Sequence, residues 1–141
     1  MHCVPPISDE QARRFAGAWV AAWNARDPEA ILAHYAPGVL LTSPVAARLL
    51  GEPSGSVAGI DALRACFLRG LQAYPGLHFE LLDVFHGLAS VVLVYANQNG
   101  TKTAEFMEFN GQVQVVRVVA NYSAGIHPKH KRPGSRRGVV C

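Results

Sequence analysis

One carboxylate, Glu105, falls in the middle of an otherwise apolar extended run and is the residue best placed to do chemistry. The run, residues 102–109, is flanked by Asn99-Gly100 and Asn110-Gly111. Asn-Gly is the strongest short-range hairpin signal, because both residues tolerate the positive φ of a type I′ turn. Read as two-residue loops, the turns set Glu105 opposite Val94 on one side and Val116 on the other. Side chains alternate along a strand, so Val94, Met107, Val116, Val118 and Tyr122 share the face of Glu105. An acid among valines is either at a surface or inside an apolar pocket. In a pocket, lost hydration raises its pKa and makes it a general acid, a general base or a neutral hydrogen-bond donor. The plain alternative is a structural acid satisfied by the Trp19 indole N–H, the Tyr122 hydroxyl or a buried water.

The remaining candidates carry weaker signals. Asp83 would join the face of Glu105 if Gly87-Leu88 were a two-residue turn, but no Asn-Gly marks that turn and a one-residue slip reverses the facing; exposure is expected. His34, His78 and His86 titrate near neutrality, yet no ligand spacing joins them, so neither a metal nor a cofactor is expected. Ser43 lacks a Gly-x-Ser-x-Gly elbow and reads as a hydrogen-bonding group at a cavity mouth rather than a nucleophile. Trp19, Trp23, Tyr35 and Phe67 read as core or cavity wall, with polar tips on the Trp and Tyr residues that can orient a substrate.

The elements that must hold these groups follow from periodicity. Residues 9–26 read as a helix capped by Ser8 or Asp9, with Phe15, Trp19 and Trp23 on one face. Asp27-Pro28 opens a short second helix, 39–42 is a short strand, and 44–58 reads as a long loop able to act as a lid. A third helix covers 60–73. Four strands then follow at 77–86, 90–98, 102–109 and 112–122. Helices followed by an antiparallel meander give an α+β fold: three N-terminal helices packed on a curved, mainly antiparallel sheet. Residues 1–7 form an extension, 8–124 one domain, and 125–141 a basic tail read as disordered.

At 141 residues the chain suits one domain, and half its residues are apolar, which argues against disorder throughout. No apolar stretch approaches the ~20 residues a membrane span needs, and no leader opens the chain, so a cytoplasmic location is expected. The net charge of +3 belongs to the tail: residues 127–141 carry five basic groups and no acid, leaving the rest at −2. Without interleaved aromatics the tail is a solvated end rather than a nucleic-acid binder. Three cysteines without CxxC spacing indicate no disulfide framework, and Cys66 reads as a small buried apolar residue. Both faces of the meander carry apolar residues (Val91, Leu93, Tyr95, Ala104, Phe106, Val115 and Val119 on the second), so each needs a cover. Helices cover one; a second copy of the chain, in a homodimer, covers the other.

The order of elements, with Trp23-Asn24-Ala25-Arg26-Asp27-Pro28, Tyr35-Ala36-Pro37, Ser43-Pro44-Val45, Gly59-Ile60-Asp61 and Ala104-Glu105-Phe106-Met107-Glu108-Phe109, resembles the nuclear-transport-factor-2-like superfamily and its SnoaL-like members. The resemblance implies a cone enclosing an apolar cavity for a small hydrophobic molecule. It also implies cofactor-independent isomerase, cyclase, dehydratase or hydrolase chemistry, or a non-catalytic ligand-binding or dimeric domain. Against ketosteroid isomerases, the general-base Asp falls on Ser43, the oxyanion-hole Tyr on Trp19, a supporting Tyr on Phe67 and the oxyanion-hole acid on Glu105. Only Glu105 keeps its chemistry, so steroid isomerisation in its familiar form is rejected.

Overall fold

The structure, a computed structural model, describes residues 6–123; the basic tail lies outside them. Helix α1 (Asp9–Asn24) starts at a capping box: the Ser8 hydroxyl accepts from Gln11 N at 3.1 Å and the Gln11 side chain accepts from Ser8 N at 2.9 Å. Its buried stripe is Ala12, Ala16, Trp19, Val20 and Trp23, while Phe15 is half-buried, edge-on to His34 and Phe109. Next come α2 (Pro28–Leu32), capped by Asp27, and β1 (Tyr35–Thr42). The expected loop 44–58 is instead α3 (Pro44–Leu50), which ends on Gly51 at φ 66°, followed by β2 (Ser56–Ala58). Pro44 at the first helical position and Gly after the last are helix punctuation as much as loop composition. Helix α4 (Ile60–Ala73) has the expected bounds. Strands β3 (Glu80–His86), β4 (Ser90–Ala96), β5 (Lys102–Phe109) and β6 (Val115–Tyr122) complete the chain.

The sheet has six strands in the order β2-β1-β6-β5-β4-β3, antiparallel except where β1 meets β6. Thus the α+β expectation of helices on a mainly antiparallel sheet holds, with a short fourth helix added. Motif residues behind the family resemblance lock the layers together. The Asn24 amide bonds both Phe79 N and Phe79 O, at 2.8 and 2.9 Å. The Arg26 guanidinium donates to the Leu71 and Tyr74 carbonyls, where α4 ends, satisfying acceptors that a helix terminus leaves bare. Asp27 accepts from Ala30 N at 3.2 Å. That motif is architecture.

The hairpin registers differ from the two-residue reading. Asn97 pairs with Thr101 around residues 98–100, with Gly100 at φ 82°; this is the loop that ends on a left-handed residue. Glu105 consequently faces Leu93, not Val94. In the second hairpin Asn110 pairs with Gln114 and the left-handed position falls on Val113 at φ 59°, a strained conformation for a β-branched residue. A further shift between Glu108 and Phe109 sets Glu105 opposite Ala120, not Val116. The helix-facing side is therefore Val91, Leu93, Tyr95, Thr103, Glu105, Met107, Val115, Val118 and Ala120, all buried. Val92, Val94, Ala104, Phe106, Val116 and Val119 are half-buried on the outer side, with Phe85 56% exposed beside Val92. The outer face is apolar as expected, but Val91, Leu93, Tyr95 and Val115 belong to the inner one.

Candidate functional site

Glu105 points inward from the middle of β5 and is 1% exposed. Tyr95, on β4, donates its hydroxyl to Glu105 Oε1 at 2.5 Å. Across the interior, the Trp19 indole N–H from α1 donates to the Tyr35 hydroxyl of β1 at 2.9 Å. The hydroxyls of Tyr35, Tyr95 and Tyr122 all feel the Glu105 charge, and burial, reinforced by that charge, pushes each well up from its ordinary pKa. Burial likewise pushes Glu105 up from 4.5 to about 7, the Tyr95 hydrogen bond pulling the other way. A carboxyl poised there is both a usable acid and a usable base at neutral pH.

An aromatic wall surrounds this pair. Trp19 stacks on Phe79 with centroids 5.9 Å apart and planes 12° from parallel, and lies 5.3 Å from Tyr95. Phe79 and Tyr95 are 4.5 Å apart; Trp23 meets Phe67 edge-on at 4.8 Å. The Trp23 indole nitrogen is buried with no hydrogen-bond partner among the described residues.

Of the residues anticipated around Glu105, the structure gathers Trp19, Trp23, Tyr35, Ser43, Phe67, Met107 and Val118 in the interior, with Tyr122 half-buried at its edge. Val94 and Val116 are removed to the outer face by the register. Ser43 is the N-cap of α3: its Oγ accepts from Val45 N and Ala46 N at 3.1 and 3.4 Å, and it also bonds Tyr122. That is a structural task, not nucleophilic catalysis. Asp83 is exposed on the outer face opposite Val94. His78 and His86 are exposed, His86 lying 3.6 Å from Asp9, while half-buried His34 has its pKa lowered by desolvation. Among the described residues no cluster could hold a metal, and no helix is long and apolar enough to cross a membrane. Cys66 is fully buried and disulfide-bonded, so it is more than an apolar filler.

Tyr95 is the Glu105 partner that the two-residue register hid, by assigning it to the outer face. The signal for it was Asn97, whose Oδ1 accepts from Asn99 N and Thr101 N and so makes Asn97, not Asn99, the first corner of the turn.

Hollows in the surface lie away from the pair. One of about 150 Å³ is lined by Ile7, Leu88, Phe109 and Val113, and another of about 290 Å³ by Arg14, Phe15, Ala18 and His34. A third, about 270 Å³, lies against Val94, Lys102, Ala104 and Asn121 and meets the inner cluster only through Thr103 and Tyr122. None of the three includes Glu105 or Tyr95, and beside that pair Trp19, Phe79 and Tyr95 pack ring against ring.

Residues 16–124 match the family model of the SnoaL-like domain. A SnoaL-like protein of unknown function from Burkholderia thailandensis is 36% identical, superposes with a TM-score of 0.81, and is matched over 84% of this chain and 99% of its own. A Methylobium petroleophilum protein with a cystatin-like fold is 15% identical, with a TM-score of 0.68 over 91% of this chain and 86% of its own. A Mycobacterium tuberculosis protein, solved with estradiol-17beta-hemisuccinate, is 16% identical, with a TM-score of 0.64 over 80% and 94%; at such identities the likeness is one of fold. No curated protein matches the chain.

Proposed function

Because the chain belongs to the SnoaL-like domain family, whose fold also carries the estradiol-17beta-hemisuccinate complex, we propose that it takes up a small hydrophobic molecule against its aromatic wall and moves a proton on it with Glu105. The observation that carries this reading is the fully buried carboxyl held near pH 7 with a tyrosine hydroxyl on one oxygen. Such a group takes a proton from one carbon or oxygen of the substrate and returns it to another, which serves isomerisation, cyclisation, dehydration or hydrolysis without a cofactor. Tyr35, its oxygen already taking the Trp19 N–H, has its own proton to offer a substrate oxygen. Trp19, Trp23, Phe67, Met107 and Val118 supply apolar contact, and Tyr122 orients the substrate at the edge.

The alternative is a non-catalytic ligand-binding or dimeric domain, and the closed packing around Glu105 favours it. Native mass spectrometry of the protein purified from its own host identifies a retained ligand. With that compound, Glu105→Gln should lower turnover at least ~100-fold and leave the dissociation constant within about threefold. Full activity in Glu105→Gln refutes the catalytic role of Glu105, and a retained ligand that the parent protein binds but leaves unchanged establishes the alternative.

We also place a second copy of the chain on the outer sheet face. Phe85 at 56% exposure and half-buried Val92, Val94, Phe106 and Val119 make an apolar patch of the type that marks an interface. Light scattering should give twice the chain mass for the parent and the single chain mass for Phe85→Glu; a monomeric parent at micromolar concentration refutes the dimer.

A further inference from the structure

We propose that Tyr95 is the positioning residue of this site: its hydroxyl fixes one carboxyl oxygen of Glu105 in the interior and favours the ionised acid, leaving Oε2 as the atom that exchanges the proton. This rests on the reading of Glu105 as the working group.

The geometry comes from the corrected register. Leu93 stands directly opposite Glu105 and Tyr95 opposite Thr103, so Tyr95 reaches Glu105 diagonally, a span that an aromatic side chain covers and a small one does not. Its ring is wedged between Phe79 and Trp19, at 4.5 and 5.3 Å. That packing fixes the phenol oxygen beside the Glu105 carboxyl. An O–H aimed at an ionised carboxylate is among the stronger hydrogen bonds available in a protein, and in a dry interior its worth grows.

Among the described residues, no other group lowers the proton affinity of Glu105. The titratable groups that feel Glu105 are Tyr95 from β4, Tyr35 from β1 and Tyr122 from β6, and burial keeps all three neutral. The helices bring Trp19, Trp23 and Phe67, which do not titrate. Desolvation pushes proton affinity up, and the Tyr95 hydroxyl alone restrains it. Without Tyr95 the acid would stay protonated at neutral pH and could give a proton but not take one.

The test uses the full chain without substrate. The Glu105 carboxyl carbon, ¹³C-labelled and assigned by its loss in Glu105→Gln, is titrated by NMR. Tyr95→Phe should raise the midpoint by about one pH unit or more, a tenfold gain in proton affinity. Replacing Tyr95 with 3,5-difluorotyrosine, a stronger donor of nearly the same shape, should move the midpoint down. Midpoints that stay at the parental value, or that both rise as lost packing would make them, overturn the proposal. Should Tyr95→Phe fail to fold, the fluorinated variant decides alone. A working titration with no turnover on any ligand would fault the catalytic reading and leave the Tyr95 assignment standing; a silent titration with an active enzyme would do the reverse.

Discussion

Glu105→Gln should stabilise the fold at pH 8 by about 3 kcal/mol and leave it nearly unchanged at pH 4.5. The ordinary pKa of this carboxyl is 4.5 and the folded one about 7. The folded chain thus holds the proton more tightly than the unfolded chain. Stability from this group is fully present below pH 4.5, drains away as pH rises through 7, and stays low above that. A gap of roughly two and a half pH units, at 1.36 kcal/mol each, sets the size. The glutamine keeps an oxygen for the Tyr95 hydroxyl and carries no charge to desolvate. For a domain of this length the gain is roughly 10 °C or more in Tm at pH 8. Thermal unfolding of both proteins at the two pH values measures it, and the comparison cancels His34, whose lowered pKa is common to both. A Glu105→Gln protein weakened equally at both pH values would show that the charge is welcome and the acid structural. A stabilising loss of charge, by contrast, is the mark of a site where function has been kept at the expense of stability.

How much of this was legible in the sequence depended on the kind of signal. Helix α4 was readable to the residue because Ile60, Leu63, Phe67 and Leu71 repeat at helical spacing between Gly59 and Tyr74-Pro75-Gly76. The sequence left Glu105 as either a surface or a pocket acid, and the structure turns it inward with Thr103, Met107 and Phe109. Nor were its neighbours legible. On β4 both alternating sets, Val91-Leu93-Tyr95 and Val92-Val94-Ala96, are apolar, so hydropathy could not choose between registers and the choice fell to turn length. That length turns on side-chain bonds: Asn110 Oδ1 accepts from Gln112 N and Gln114 N, which moves the left-handed corner off the Asn-Gly pair and onto Val113, against its conformational preference. Helix α3 was hidden because Ser43-Pro44 and Gly51 read equally well as loop or as helix cap and stop; burial of Val45 and Ala46 against α4 and β2, a tertiary effect, decided it.

The two tryptophans of α1, equally buried, should respond differently to the same substitution. Trp19→Phe removes the donor to the Tyr35 hydroxyl, leaves that oxygen in the interior without it, and opens a gap between Phe79 and Tyr95; the expected loss is about 3 kcal/mol. Trp23→Phe opens a gap of the same size against Phe67 and Phe79, but it also removes an indole N–H that is buried without a partner among the described residues. Relief of that unmet donor, worth about 1–3 kcal/mol, offsets most of the cavity term, so the expected loss is about 1 kcal/mol or less. Chemical denaturation of each variant beside the parent reads the difference directly. The contrast bears on function through Tyr35, whose aim toward the interior depends on Trp19 and not on Trp23. Equal losses would mean that the Trp23 N–H meets an acceptor in solution.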